Sequence, residues 1–426
     1  MRFEDALERL EARQPESMPE PSLDRIRAIA ELLDDPQLTF PSIHVTGTNG
    51  KTTAARVAAS VACAHGISTG LFTSPHLLSV TERFSVCGKD MTGTEFAEEW
   101  EHLEPFLHLV DDRGPIAVTY FEAVTALAYL WFADKPVGLG VFEVGMGGTW
   151  DATNLVDGEV AVVTPIGMDH VAELGPTLAD IAGEKAGILK EGGTAVLREQ
   201  DPIAAEVLAR RAAEVGSVAR WEGPDWEVEE RLLAVGGQSF RLRGLHETYE
   251  DLFLPLFGGY AVHNGAAGVV AVEALTGQAL HADSLREGLA AVRSPGRLEV
   301  VGHEPLVVLD GAHNPAGAQA LADAMRESFR WDRLHLVVAI SGNKDLEGIA
   351  AALAPIADQV VVTRNDSVRS AEPGDVAAAF GGGDVDHAAS VADAMELARA
   401  AAGPDDVVLV TGSLFTVADA ERALRR

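Results

Sequence analysis

"SIHVTGTNGKTTAARVAASVACAH", residues 42–65, decides how the rest of the chain is read. A short apolar strand, "PSIHV" (41–45), runs into "TGTNG" and then into an Ala-rich helical pattern from Lys51 to about His65. A strand, a glycine-rich turn and a helix start in that order form a phosphate cradle. Gly47 and Gly50 let backbone N–H groups approach an anion closely, and the helix N-terminus favours negative charge. Lys51 balances charge on the outer phosphates, and the Thr52 hydroxyl can ligate Mg²⁺. The strict loop spacing asks for glycine at position 45, which is Val here, so the loop is a shortened variant. A glycine-rich turn that merely caps a helix is the alternative.

On both sides of this loop the pattern alternates between strands and helices. "STGLFTS", "VGLGVFEVG", "EVAVVTPIG" and "GTAVL" read as buried strands. "TGTEFAEEWEHLEPFLHLV", "TYFEAVTALAYLWFA" and "TLADIAGEKAGIL" carry helical periodicity. Such alternation indicates a mostly parallel sheet covered by helices. From about Trp226 to Leu256 short alternating runs such as "FRLRG" suggest a few antiparallel strands. "HNGAAGVVAVEAL" and "ADSLREGLAAV" then return to helix. "RSPGRLE" (293–299) has the punctuation of a linker. A second α/β series follows it, with "LVVLD", "LHLVVAI", "QVVVT" and "DVVLVTG" as strands. The expected domains are 1–296 and 297–426.

Composition narrows the class. The 426 residues, 47% of them hydrophobic, allow an ample core. No apolar run reaches the roughly 18 residues of a membrane span. The N-terminus "MRFEDALERLEARQ" is charged and amphipathic, unlike a signal peptide. Cys63 and Cys87 are too few for a disulfide framework or a metal cluster. A cytoplasmic enzyme without a membrane partner is expected. The formal charge is −32, from 65 acidic against 33 basic residues, and only six of the basic residues are lysines. Self-repulsion of that size destabilises a compact state unless salt screens it. The surface therefore reads as salt-adapted, or halophilic, with an acidic mesophile as the alternative. Nonspecific nucleic-acid binding is disfavoured.

Carboxylates and a histidine sit where an open parallel sheet places ligands, just past the carboxyl ends of strands. Glu143 ends the strand in "FEVGMGGTWDATN", and His170 follows another in "VTPIGMDH". A carboxylate and a neutral imidazole make a plausible metal-ligand pair. Taken singly, each also fits a structural role.

Together these motifs resemble the folylpolyglutamate synthase/dihydrofolate synthase family within the Mur ligase superfamily. The resemblance rests on "GTNGK", "TSPHL" with "ERF", "FEAVTALAYLWF", "EVGMGG" with "DATN", "TPIGMDHVAELGPTLADIAGEKAGILK", "SPGRLE", "DGAHNPAGAQAL", "NKD" and "GSLFTVADA", in family order over nearly the whole chain. It implies a P-loop central ATPase domain with a mostly parallel sheet and a smaller Rossmann-like C-terminal α/β domain, with the active site between them. It also implies an acyl-phosphate reaction. ATP phosphorylates a carboxylate of dihydropteroate or a reduced folate, and L-glutamate attacks to give an amide, ADP and phosphate. ATP and Mg²⁺ are the implied cofactors, and a monovalent cation is left open as a third.

Residue by residue, the resemblance assigns Gly47, Thr48, Asn49, Gly50, Lys51, Thr52 and Thr53 to the ATP phosphates. Ser74, Glu143 and His170 match magnesium ligands. Asn264, Arg297 and Asp310 match nucleotide contacts, and His313 lies near the phosphates. Thr119, Phe121, Glu122, Asp151 and Ala152 align with a pterin surface, which "PSLDRI" with Leu23 and Arg25 borders. Lys185 matches a lysine that is carbamylated in the family. A protonated amine with a pKa near 10.4 cannot ligate Mg²⁺. Carbon dioxide added to the neutral amine gives in effect a long carboxylate, provided burial and nearby cations lower that pKa. Glu184 opposes this unless it faces elsewhere, and a structural lysine paired with an acid is the alternative. Lys190 is read as a charge near the end of that helix, where it favours the negative end of the dipole. Thr149 stands where arginine is common, and Tyr260-Ala261 replaces a His-Gln pair. Another superfamily amide ligase, acting on a cell-wall or polymer precursor, is the competing activity. A nucleotide-binding regulator is the competing non-enzyme.

Overall fold

The computed structural model describes residues 1–15, 21–382 and 385–425. Contacts divide it into two compact units. The first comprises Met1–Leu232, Ser239–Leu254 and His263–Val292; the second comprises Leu233–Gln238, Pro255–Val262 and Arg293–Arg426.

The first unit is built on an eight-stranded sheet. Its strands are β1 (Ser42–Thr46), β2 (Thr69–Phe72), β3 (Phe84–Val86), β4 (Lys89–Asp90), β5 (Leu139–Glu143), β6 (Val160–Val163), β7 (Thr194–Leu197) and β8 (Val218–Trp221). They lie in the order β4-β3-β2-β5-β1-β6-β7-β8. β1 is central and parallel to both β5 and β6, with Val45 opposite Glu143 and Val162. All five residues of β1 and of β5 are buried, as expected of strands covered on both faces. One apolar cluster joins Phe72, Phe84 and Phe142 to the helices Phe3–Glu11, Asp24–Leu32, Gly93–Asp111 and Tyr120–Asp134. A second joins Val144, Val163 and Leu197 to the helices Leu178–Ala186 and Pro202–Val215.

Three further strands, β9 (Glu227–Ala234), β10 (Gly237–Arg243) and β11 (Thr248–Leu254), form a separate sheet in the order β11-β10-β9. The second unit carries β12 (Glu299–His303), β13 (Leu306–Leu309), β14 (Leu334–Val338), β15 (Gln359–Val362), β16 (Val385–His387) and β17 (Val407–Thr411). Their order is β12-β13-β17-β14-β15-β16, parallel except where β12 pairs antiparallel with β13. The mixed α/β class with mostly parallel sheets is as expected. Among the described residues no helix is long and apolar enough to cross a membrane.

Two expectations need correction. Cys63 and Cys87 are joined in a disulfide, with their Cα atoms 5.5 Å apart. Cys63 lies at the end of the helix Lys51–Ala64, which leads into β2. β3 folds back antiparallel on β2, and Cys87 N–H donates to the Thr69 carbonyl at its end. Pairing of strands, invisible in the spacing, brings the two sulfurs together. Lys190 does not serve a helix end either, because the helix stops at Ala186; its Nζ donates to the Asn154 carbonyl at 2.9 Å.

Candidate active site

The phosphate loop forms because two glycines occupy positions no other residue fits. Gly47 has φ +142°, and a Cβ there would meet Thr164 Oγ1 at 1.9 Å. Gly50 caps the helix Lys51–Ala64 at φ +90°, and a Cβ there would meet Asn264 Nδ2 at 2.0 Å. Both φ values lie where L side chains are strained. Thr48 pins the loop to the segment after β6. Its N–H donates to the Pro165 carbonyl, its hydroxyl donates to the Gly167 carbonyl, and Gly167 N–H donates back to that hydroxyl, each at 3.0 Å. Lys51 Nζ folds over the loop, donating to the carbonyls of Gly47 (3.1 Å) and Thr48 (3.3 Å). Thr53 is buried in the first turn.

At the end of β5, the Glu143 carboxylate is only 2% exposed. Its Oε1 accepts from the Thr52 hydroxyl at 2.8 Å, and its Oε2 from Ser74 N–H at 3.4 Å. The phosphate loop, "TSPHL" and "EVGMGG" thus meet at Glu143. Hydroxyl and carboxylate oxygens are the hard donors that magnesium prefers, so Thr52, Ser74 and Glu143 fit that ion.

Lys185 stands in the last turn of the helix Leu178–Ala186, 5% exposed, with Nζ donating to the Gly47 carbonyl at 2.9 Å. Burial first and the Lys51 charge second pull its pKa down to about 7. Glu184 faces elsewhere: its Oε1 accepts from Trp150 N–H at 3.3 Å, and its carbonyl accepts from Thr149 N–H and Oγ1–H, both at 3.0 Å. The charges of Asp169, Asp151 and Glu184 oppose the fall in the Lys185 pKa without reversing it. His170 opens the short helix Val171–Leu174 at φ +52°, its Nδ1 4.0 Å from Glu173 Oε2.

Asn264 is 3% exposed, and its orientation is set by residues the sequence reading did not select. Arg198 Nη1 donates to Asn264 Oδ1, which turns Nδ2 towards Gly50. Arg198 also donates from Nε to Glu222 Oε2 at 2.6 Å, and His263 Nδ1 lies 2.6 Å from Glu222 Oε1. Burial opposes ionisation of Glu222, yet His263 and Arg198 together hold it down to about 2. The available signal was the position of Arg198, immediately past the end of β7.

The residues aligned with a pterin surface also fall into groups. Glu122 accepts from Arg25 Nε on both oxygens at 3.0 Å. It also accepts from Thr119 N–H and Oγ1–H at 2.8 Å, closing a capping box on the helix Tyr120–Asp134. Leu23 precedes the helix that carries Arg25. Phe121 packs against the segment after β5, where a Cβ on Gly145 would meet its Cζ at 2.5 Å. Asp151 is buried, accepting from Met146 N–H at 2.9 Å, and Ala152 accepts from the Tyr129 hydroxyl at 2.7 Å. Burial raises the Asp151 carboxyl to about 6.

In the second unit, Asp310 follows β13. Its oxygens accept from Leu298 N–H (2.8 Å) and Ala312 N–H (2.7 Å), and burial raises its pKa despite the opposing Arg297 charge. Arg297 Nη1 lies against Gly311, where a Cβ would meet it at 2.7 Å. His313 Nδ1 is 2.8 Å from the Gly311 carbonyl. "SPGRLE" and "DGAHNP" therefore form one structural group.

Two family models match the chain: the Mur ligase middle domain over residues 45–272 and the Mur ligase glutamate ligase domain over 296–414. The dihydrofolate synthase/folylpolyglutamate synthase of Mycobacterium tuberculosis (strain ATCC 25618 / H37Rv) is 41% identical over 449 residues, covering 97% of this chain and 92% of that protein. The chain belongs to the folylpolyglutamate synthase/dihydrofolate synthase family. Among solved structures of this family, Mycobacterium tuberculosis folylpolyglutamate synthase complexed with ADP superposes with a TM-score of 0.95 at 40% identity, covering 100% of this chain and 98% of that one. An FPGS–AMPPCP–folate complex gives a TM-score of 0.89 at 30% identity, with both chains fully covered.

Proposed function

We propose that this chain is an ATP-dependent ligase that joins L-glutamate to a carboxylate of dihydropteroate or a reduced folate. The observation that carries the reading is the convergence of Lys51, Thr52, Glu143 and Lys185 on one phosphate loop. Relatives that hold ADP, or AMPPCP with folate, support the nucleotide and the substrate class. On this reading residues 1–296 are the ATP-binding ligase domain and 297–426 the C-terminal α/β ligase domain, although contacts group Leu233–Gln238, Pro255–Val262 and residues 293–296 with the second unit.

The chemistry follows from what a carboxylate lacks. Its hydroxide-type leaving group is poor, so an oxygen of the substrate carboxylate first takes the γ-phosphoryl group of ATP, releasing ADP. The glutamate amine then attacks the acyl carbon, loses a proton and expels phosphate. Loop N–H groups and the helix N-terminus bind the phosphates. Lys51 turns its ammonium from the loop carbonyls to the outer phosphates, where charge builds in the transition state. Thr52, Ser74 and Glu143, with His170, would hold Mg²⁺. When bound, that ion offsets phosphate charge as a Lewis acid. Lys185, with a pKa near 7, is partly neutral at physiological pH. Its Nζ adds to carbon dioxide, forming an N–C bond and releasing a proton, and the resulting carbamate presents oxygens to the same site. Asn264, Arg297, Asp310 and His313 are the proposed further nucleotide contacts. Leu23, Arg25, Thr119, Phe121, Glu122, Asp151 and Ala152 line the pterin side.

The test is ADP release in high salt with L-glutamate, offering dihydropteroate and tetrahydrofolate separately. Release that requires both glutamate and a pterin acid supports the reading; no release with either acid overturns it.

A further inference from the structure

His44 is a fully buried imidazole on the central strand, three residues before Gly47 of the phosphate loop, and nothing in the proposed chemistry uses it. Its Nε2 lies 2.8 Å from Thr153 Oγ1, 109 residues away. Thr153 Oγ1 in turn donates to Asp151 Oδ1 at 2.5 Å, and Thr153 N–H donates to the same oxygen at 3.0 Å. The other carboxylate oxygen, Oδ2, accepts from Met146 N–H at 2.9 Å. His44, Thr153, Asp151 and the backbone of "GMGG" therefore form one continuous chain of hydrogen bonds.

The direction of that chain is fixed by counting protons. A threonine hydroxyl has one proton to give. With Asp151 ionised, that proton goes to the carboxylate, so the hydroxyl must accept from His44. Nε2 then carries the imidazole proton. His44 Nδ1 has no hydrogen-bond partner among the described residues. A bare ring nitrogen suits that position, whereas a second N–H there would be a buried, unpaired donor. Burial, with the Lys190 charge second, holds the His44 pKa down to about 3, in keeping with a permanently neutral ring. A neutral donor of fixed tautomer is what a rigid relay requires.

We infer that His44 is a positioning residue for the pterin side of the site: by donating to Thr153 it commits the threonine proton to Asp151 and so fixes that carboxylate and the 145–151 segment. The inference rests on the reading of Asp151, Ala152 and Phe121 as pterin contacts. Phe121, packed against Gly145, sits on the same segment. His44 acts only through Thr153 and touches no reactant.

Four variants separate the outcomes: His44→Leu, which keeps bulk and loses the donor; His44→Gln, which keeps an N–H donor; Thr153→Val, which keeps shape and loses the hydroxyl; and Asp151→Asn. KM for the pterin acid, KM for ATP, kcat and Tm are measured for each. His44→Leu and Thr153→Val are expected to raise the pterin KM about tenfold, the scale of one hydrogen bond to a charged group, with ATP KM within about twofold of the parent. His44→Gln is expected to recover most of that loss. The inference is overturned if Asp151→Asn raises the pterin KM while His44→Leu and Thr153→Val leave it unchanged. It is also overturned if pterin and ATP KM rise together in step with a fall in Tm, which marks a merely structural role. An unchanged pterin KM in Asp151→Asn itself would instead remove the pterin reading of this segment, and the inference with it.

Discussion

Lys185 Nζ donates to the carbonyl of Gly47 at 2.9 Å, placing a buried amine against the first glycine of the phosphate loop. An uncharged amine tolerates that environment, and the proposed carbamate would form on it. Lys185→Ala is expected to lower ATP-dependent glutamate addition by at least roughly 100-fold, the scale of losing one charge-stabilising group, while the variant stays folded by circular dichroism. Millimolar acetate or a similar small acid is expected to restore part of the activity. Unchanged turnover in the alanine variant would remove Lys185 from the chemistry.

The same lysine sets a pH dependence. Its pKa falls from the ordinary 10.5 to about 7 in the folded chain, so the amine is protonated below pH 7 and neutral above it. Only the neutral form takes up carbon dioxide. The ¹³C carbamate signal of protein equilibrated with labelled bicarbonate is therefore expected to grow as pH rises through 7 and to fade below it. A signal that is flat from pH 6 to 8, or absent throughout, would contradict the assignment.

Glu99 offers a stability test away from the site. Its Oε2 is buried without a hydrogen-bond partner among the described residues, and burial, with the Asp134 charge second, pushes its pKa up to about 7. The raised value means that the folded state disfavours the ionised form. The penalty is absent below about pH 4.5, grows as pH rises towards 7 and is fully present above it. Glu99→Gln is expected to stabilise the protein at pH 8 by on the order of 1 kcal/mol, after discounting for solvent screening of a half-buried group. The gain should vanish near pH 4. A destabilised Glu99→Gln at pH 8 would show that the carboxylate has a partner.

Salt is expected to act through the net charge of −32. The Debye length shrinks from about 10 Å at 0.1 M to about 3 Å at 1 M. Tm should therefore rise by several degrees over that range in KCl, with the acidic surface repelling itself less. A Tm that falls or stays level with added KCl would contradict a salt-adapted surface.

The strand–loop–helix from Ser42 to Ala64 was legible because its glycines, its short buried strand and its Ala-rich helical pattern are local signals. So were the other long buried strands, β5 and β17, and the convergence of Thr52 with Glu143. Edge strands were not legible: β4 has two exposed residues, and β12 and β16 are mostly polar or partly exposed. No apolar alternation marks such strands, because one of their edges meets solvent. The Cys63–Cys87 disulfide depends on β3 folding back on β2, a tertiary fact. His44 was invisible for a related reason. In sequence it is one more residue of a core strand, and the hydroxyl that gives it a task lies 109 residues away. Arg198 likewise acquires its meaning only through Asn264 and Glu222.

The most direct test of ligation is a coupled measurement of ADP and product. Purified protein in high-salt buffer receives ATP, Mg²⁺, ¹⁴C-labelled L-glutamate and either dihydropteroate or tetrahydrofolate. The expected result is one labelled amide formed per ADP released with at least one of the two acids, and neither product when the acid is omitted. ADP release without label incorporation, or no turnover with either acid, would contradict glutamate ligation as the function of this chain.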